Sequence, residues 1–247
     1  MKTTINKFTL LILIFICSCS KVENIREKST NYCFPNVADS YIYPVVPGTN
    51  EWRNLSSTDE AYKVIQLPES VLKTISTKGL IDALLHAPLF TGFYLLSSSC
   101  PVDTWHGHYS RFNSAQELFS RKNSGDTLVD YYKEVNLDCI EKGEVYEDKE
   151  RLFGLEFLFT KQEILEKINT QKKQELVVAL LSRCEQNIEN CREIVPMAWV
   201  MLNDNYEPML KYYQENTKLY EESIHQGYVF SDDQSNRIIS IAKNYIN

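Results

Sequence analysis

Along residues 51–247, apolar positions recur at three- and four-residue spacing between short polar breaks, and this predicts an all-α body. Ser57 and Glu60 have the spacing of a capping box, followed by Ala61, Val64 and Ile65. Pro68 suits the first turn of a short helix carrying Val71, Leu72 and Ile75. Thr77 opens another, with Leu80, Ile81, Leu84 and Leu85 at helical spacing. Pro88 begins an apolar stretch that runs to Leu96. Asn113 or Ser114 caps a helix with Leu118 and Phe119, and Asp126 caps one with Leu128, Val129 and Tyr132. Thr160 and Glu163 repeat the capping-box spacing before Ile164, Leu165 and Ile168. Thr170 opens the strongest helix, from Gln171 to about Arg183, rich in straight-chain residues. Residues 194–203, 207–224 and 232–246 read as further helices, the last with Asp232 and Asp233 at the positive end of its dipole. Period-2 alternation with hairpin turns does not occur. About ten short helices with short joints fit stacked antiparallel hairpins, solenoid-like, or a compact orthogonal bundle.

The first twenty residues follow a different rule. Lys2 and Lys7 precede an apolar run from Phe8 to Ile16, the length of a signal-peptide core and too short to span a bilayer. The run ends in Ile16-Cys17-Ser18-Cys19. This tetrad resembles the lipobox of bacterial lipoproteins, in which the last cysteine is lipidated and becomes the new N-terminus. The resemblance implies a signal peptide over 1–18, lipidation at Cys19 and a membrane-held, extracytoplasmic place in a bacterial cell envelope. Residues 19–50 then read as a lipidated tether and 51–247 as the helical domain. Pro35, Pro44, Pro47 and Gly48 favour extended and turn conformations in the second part of that tether. Tyr41, Ile42, Tyr43, Val45 and Val46 make it apolar, so it fits either a free linker or a strap lying on the first helices. The Glu51-Trp52 step and the Ser-Thr-Lys-Gly-Leu run at 76–80 give the body a resemblance to uncharacterised helical lipoproteins of bacterial envelopes, which carries over no site residue.

Removing 18 of the 247 residues takes the net charge from −7 to about −9, because Lys2 and Lys7 leave. A chain this acidic with no basic stripe excludes nucleic acid as a partner. It is also repelled by anionic lipid, so acyl chains must supply the attachment. Eight glycines in the whole chain leave no room for Gly-rich phosphate loops and favour helices.

Of seven cysteines, Cys17 leaves with the signal and Cys19 takes lipid. Cys33, Cys100, Cys139, Cys184 and Cys191 remain, an odd number in a disulfide-permitting compartment. The pairing of Cys33, Cys100 and Cys139 is open. Cys184 and Cys191 would lie about 10.5 Å apart on one unbroken helix, beyond disulfide reach. A bond therefore requires a hairpin loop at about 184–193, for which Asn187, Asn190 and Pro196 argue. Against it, Leu180, Cys184, Ile188, Cys191 and Val195 also fit one continuous apolar stripe.

Trp105-His106-Gly107-His108-Tyr109 is where histidines cluster. His106 and His108 have the types and spacing for two zinc ligands if Gly107 bends the backbone; otherwise they are surface residues of a turn or helix. Nucleophile-elbow, His-Glu-x-x-His and paired Cys-x-x-Cys patterns do not occur, and no cofactor is expected. Tyr206, Tyr212, Tyr213 and Tyr220 recur after Trp199. They fit stacking on a sugar or a protein partner, or, at the seven-residue spacing of Tyr206, Tyr213 and Tyr220, a core-facing stripe. Two functional expectations follow. One is a non-catalytic binding or assembly module for an envelope protein or glycan. The alternative is a metal-dependent hydrolase centred on His106 and His108.

Overall fold

A computed structural model describes residues 33–91, 101–143, 145–186, 191–218 and 230–247. Cys19, Cys100 and Tyr220 lie outside the described residues, as does most of the stretch from Pro88 to Leu96. The described part is all-α, with fourteen helices and no strand. They are α1 (Asn50–Arg53), α2 (Thr58–Val64), α3 (Glu69–Thr74), α4 (Thr77–Leu85), α5 (Pro101–Tyr109), α6 (Asn113–Ser120) and α7 (Ser124–Glu134). The chain continues through α8 (Leu137–Lys142), α9 (Tyr146–Leu158), α10 (Gln162–Leu165), α11 (Thr170–Gln186), α12 (Ile194–Asn203), α13 (Glu207–Glu215) and α14 (Asp232–Tyr245). Among the described residues no helix is long and apolar enough to cross a membrane.

Helix α4 is the hub. Leu80, Ile81, Ala83, Leu84 and Leu85 are fully buried, and the helix packs on α6, α7 and α9. From Gly79 to Leu85 every residue is buried, so the helix is surrounded, and its one buried acid, Asp82, is met by a hydrogen bond from Ser40. Helix α11 packs on α7, α12 and α14, so the contacts skip along the sequence instead of linking only neighbours. One hydrophobic cluster runs from Cys33 to Tyr245. These packings make a compact bundle, not a solenoid, in which each hairpin would touch only the next.

One compact unit runs from Cys33 to Asn247, so residues 33–49 pack with the helices. Residues 33–49 are a strap. Cys33 is bonded to Cys139 of α8, with Cα atoms 5.3 Å apart, and the Asn136 N–H donates to the Cys33 carbonyl at 2.8 Å. Phe34, Val37 and Tyr43 are buried. Asp39 accepts from the Ser76 N–H and hydroxyl at the start of α4, Ser40 donates to the buried Asp82, and the Tyr43 hydroxyl donates to the Ala83 carbonyl. Of the apolar run that suited a linker or a strap equally, Tyr43 is buried against α4, while Ile42 stays exposed.

At the other end, α11 is described as far as Gln186, and Cys184 is bonded to Cys191 with Cα atoms 4.9 Å apart. That is about half the separation one continuous helix imposes, so the apolar stripe from Leu180 to Val195 is interrupted.

Candidate functional site

The His106–His108 pair is held by a helix the sequence pattern left undecided. Helix α5 is continuous through Gly107, so the expected backbone bend does not occur. Residues two apart on a helix diverge by roughly 200°. The two rings accordingly go to different partners. His106 Nε2 lies 2.8 Å from Thr160 Oγ1, whose own proton goes to the Phe157 carbonyl, so the imidazole donates. His108 is buried, not a surface residue, at 1% exposure. Its Nε2 is 3.2 Å from the Phe90 carbonyl and must donate there; Nδ1 then accepts from the Tyr62 hydroxyl at 3.2 Å. Burial is the main force that lowers its pKa to about 4, leaving a neutral ring. Around it, Trp105 stacks on Tyr109, and α9 comes close because position 154 is glycine: a Cβ there would meet Phe90 at 2.5 Å and Trp105 at 2.8 Å. No group of three His, Cys, Asp or Glu among the described residues is placed to hold a metal ion. The arrangement is that of polar groups satisfied within an aromatic core.

A second polar centre lies where α7, α9, α11 and the start of α12 meet. The Tyr132 hydroxyl donates to Glu156 at 3.0 Å. Arg183 Nη1 is 3.2 Å from the same oxygen, an ion contact without hydrogen-bond alignment, and its Nε pairs with Glu193. Glu156 is only 2% exposed. Burial raises its pKa to about 8; Arg183 opposes that rise and Glu193 adds to it. One guanidinium thus serves two buried carboxylates, and a proton on Glu156 removes the excess charge. No sequence motif marks this centre, because its members come from four elements and are 10 to 61 positions apart.

The surface cleft lies between α13 and α14. Helix α12 ends in a Schellman motif: the Tyr206 N–H returns to the Met201 carbonyl and the Asn205 N–H to the Leu202 carbonyl, with Asn205 at φ 56°. Asparagine tolerates that left-handed conformation. The turn swings α13 back onto α12 and α14, where Met209 is its buried anchor. Tyr206 precedes α13 as its cap and packs edge-on against Tyr245, ring centroids 5.0 Å apart. It therefore does not share a helical stripe with Tyr213, and Tyr220 lies outside the described residues. The Tyr245 hydroxyl donates to Asp204, which also pairs with Lys173, and so ties α14 to the turn and to α11.

Between these helices is a cavity of about 300 Å³, lined by Glu207, Pro208, Lys211, Tyr212 and Glu215 of α13 and Arg237 of α14. Tyr212 is half-buried, and its pKa is raised by burial, with Arg237 pulling the other way. Among the described residues, Tyr212 is the one aromatic of those the sequence singled out that lines this cleft. Each charged lining residue is exposed. No protein-family model, no curated protein and no solved structure matches the chain.

Proposed function

We propose that this protein is a lipid-anchored bacterial envelope protein whose helical body is a non-catalytic binding or assembly module. The observation that carries the reading is the pairing of four cysteines in two disulfides, Cys33–Cys139 and Cys184–Cys191, downstream of the lipobox-like Ile16-Cys17-Ser18-Cys19. Disulfides persist in oxidising extracytoplasmic compartments, where a lipobox delivers its protein. Two or more acyl chains on Cys19 supply firm attachment, which one chain does not. The α13–α14 cleft is the surface on which a binding role rests. It is lined by one tyrosine and by charged groups of both signs, which can hydrogen-bond and pair with a partner.

The test is membrane fractionation of wild type and Cys19→Ala, with metabolic labelling by radioactive palmitate. The wild type is expected in the membrane fraction, labelled and shortened. Cys19→Ala is expected as an unlabelled precursor that keeps residues 1–18. A processed, membrane-held Cys19→Ala protein contradicts the anchor.

A further inference from the structure

We propose that the α13–α14 cleft binds a neutral saccharide, with Tyr212 as its stacking platform. The inference rests on the body being a binding module and names the ligand class.

Four charged side chains, two of each sign, line the cavity. Glu207, Lys211 and Glu215 follow one another at four-residue spacing on α13, and Arg237 faces them from α14. That spacing normally produces helix-surface ion pairs. It does so in this molecule for Glu69–Lys73, Glu117–Arg121 and Asp138–Lys142. Yet among the described residues the side chains of Glu207, Lys211, Glu215 and Arg237 make no ion pair and no hydrogen bond to protein. All four are exposed, so a ligand in the cleft replaces water at these groups without breaking a protein contact.

The mixed signs weigh against a ligand of one net charge. An anion would meet Glu207 and Glu215, and a cation would meet Lys211 and Arg237. A polyol meets neither penalty, because each hydroxyl both donates and accepts: carboxylates take its protons while ammonium and guanidinium groups approach its oxygens. Tyr212 supplies the apolar partner for a sugar ring's C–H face, with its polar tip still able to hydrogen-bond. The volume, about 300 Å³, is at the lower end for small-molecule sites. A protein partner fits less well. A stable interface takes about 800 Å² from each side and depletes charge at its centre, whereas this cleft is small and charge-rimmed.

The experiment uses the full chain in zwitterionic detergent micelles, free of sugar-headed detergents. Chitotetraose, cellotetraose and maltotetraose are titrated separately, with saturation-transfer NMR reporting which sugar protons touch protein. At least one is expected to bind saturably in the millimolar range, with its ring C–H protons most strongly saturated. Tyr212→Phe is expected to retain binding, and Tyr212→Ala to weaken it about tenfold, the size of one aromatic contact. Tyr212 also packs on the core, so Glu207→Gln and Arg237→Ala serve beside it. Both residues are exposed. Each change is expected to weaken binding severalfold with the melting temperature unchanged. No saturable signal from any of the three sugars up to roughly 10 mM, where a useful site is half-filled, overturns the proposal. Binding that all three weakening variants leave intact overturns it too, as does saturable binding of tetralysine or tetraglutamate in place of the sugars. The Cys19→Ala fractionation reads the anchor alone and this titration the cleft alone, so either can fail without the other.

Discussion

The two disulfides close the same bundle in opposite ways. Cys33–Cys139 spans 106 positions and fastens the strap to α8, while Cys184–Cys191 spans seven and closes only the joint between α11 and α12. In the chain-entropy account, the long loop contributes about 4.8 kcal/mol and the short one about 2.4 kcal/mol. Their surroundings differ as well. The strap is held by hydrogen bonds that Asp39 accepts from Ser76 and that Ser40 and Tyr43 donate to α4. The α11–α12 joint sits on the Glu156–Arg183–Glu193 centre, one residue from Cys184 and two from Cys191. Long-range closure thus fixes where the chain's first described segment lies, and local closure fixes a buried charge arrangement.

The largest expected effect tests the long closure. Cys33→Ser with Cys139→Ser is expected to lower unfolding free energy by about 5 kcal/mol. Chemical denaturation measures this, and limited proteolysis should then cut first within the strap. A loss as small as that from the short disulfide would mean the strap is held chiefly by its hydrogen bonds.

A pH effect of a few kcal/mol belongs to the joint. Glu156 titrates at about 8 in the fold and near 4.5 when unfolded. Between those values the folded state holds the extra proton, so stability is full below about 4.5 and is lost as pH rises through about 8. Glu156→Gln, a neutral mimic of the protonated acid, is expected to flatten that slope and to exceed wild type at pH 8.5. A slope unchanged by Glu156→Gln would place the titration elsewhere.

The smallest effect comes from the short closure. Cys184→Ser with Cys191→Ser is expected to cost about 2.4 kcal/mol. It should also weaken the Arg183–Glu193 pairing, visible as a lower Glu156 pKa by carboxyl NMR, because Glu193 raises it. An unmoved Glu156 would show that the joint keeps its shape without the bond.

How much of this was legible from sequence depends on whether a signal is local. The helix at 194–203 was read with its observed bounds, and Ser231 caps α14 in a full capping box with Gln234. Ser57 caps α2 where expected, accepting from the Glu60 N–H, but the reciprocal half of the box is shifted: Glu60 accepts from the Ser56 N–H. Thr160 does not start α10 at all. Its hydroxyl closes the end of α9 on Phe157, and Lys161 caps the next helix. Helix α9 escaped detection because residues 152–158 are buried on every side, so there is no polar face to set a period. The cleft was half legible: Tyr212 stood in the aromatic run, but Arg237 joins it only through the α13–α14 packing. Sequence spacing suited Cys184 and Cys191 to an argument about helix rise. Nothing local selects Cys139 as the partner of Cys33 across 106 positions.

Peptide mapping of the mature protein, purified from membranes without reduction, tests the account most directly. The account predicts an N-terminal peptide beginning at acylated Cys19, together with linked peptides joining Cys33 to Cys139 and Cys184 to Cys191. An unmodified peptide running through Ser18-Cys19, with free thiols at those four positions, would contradict it.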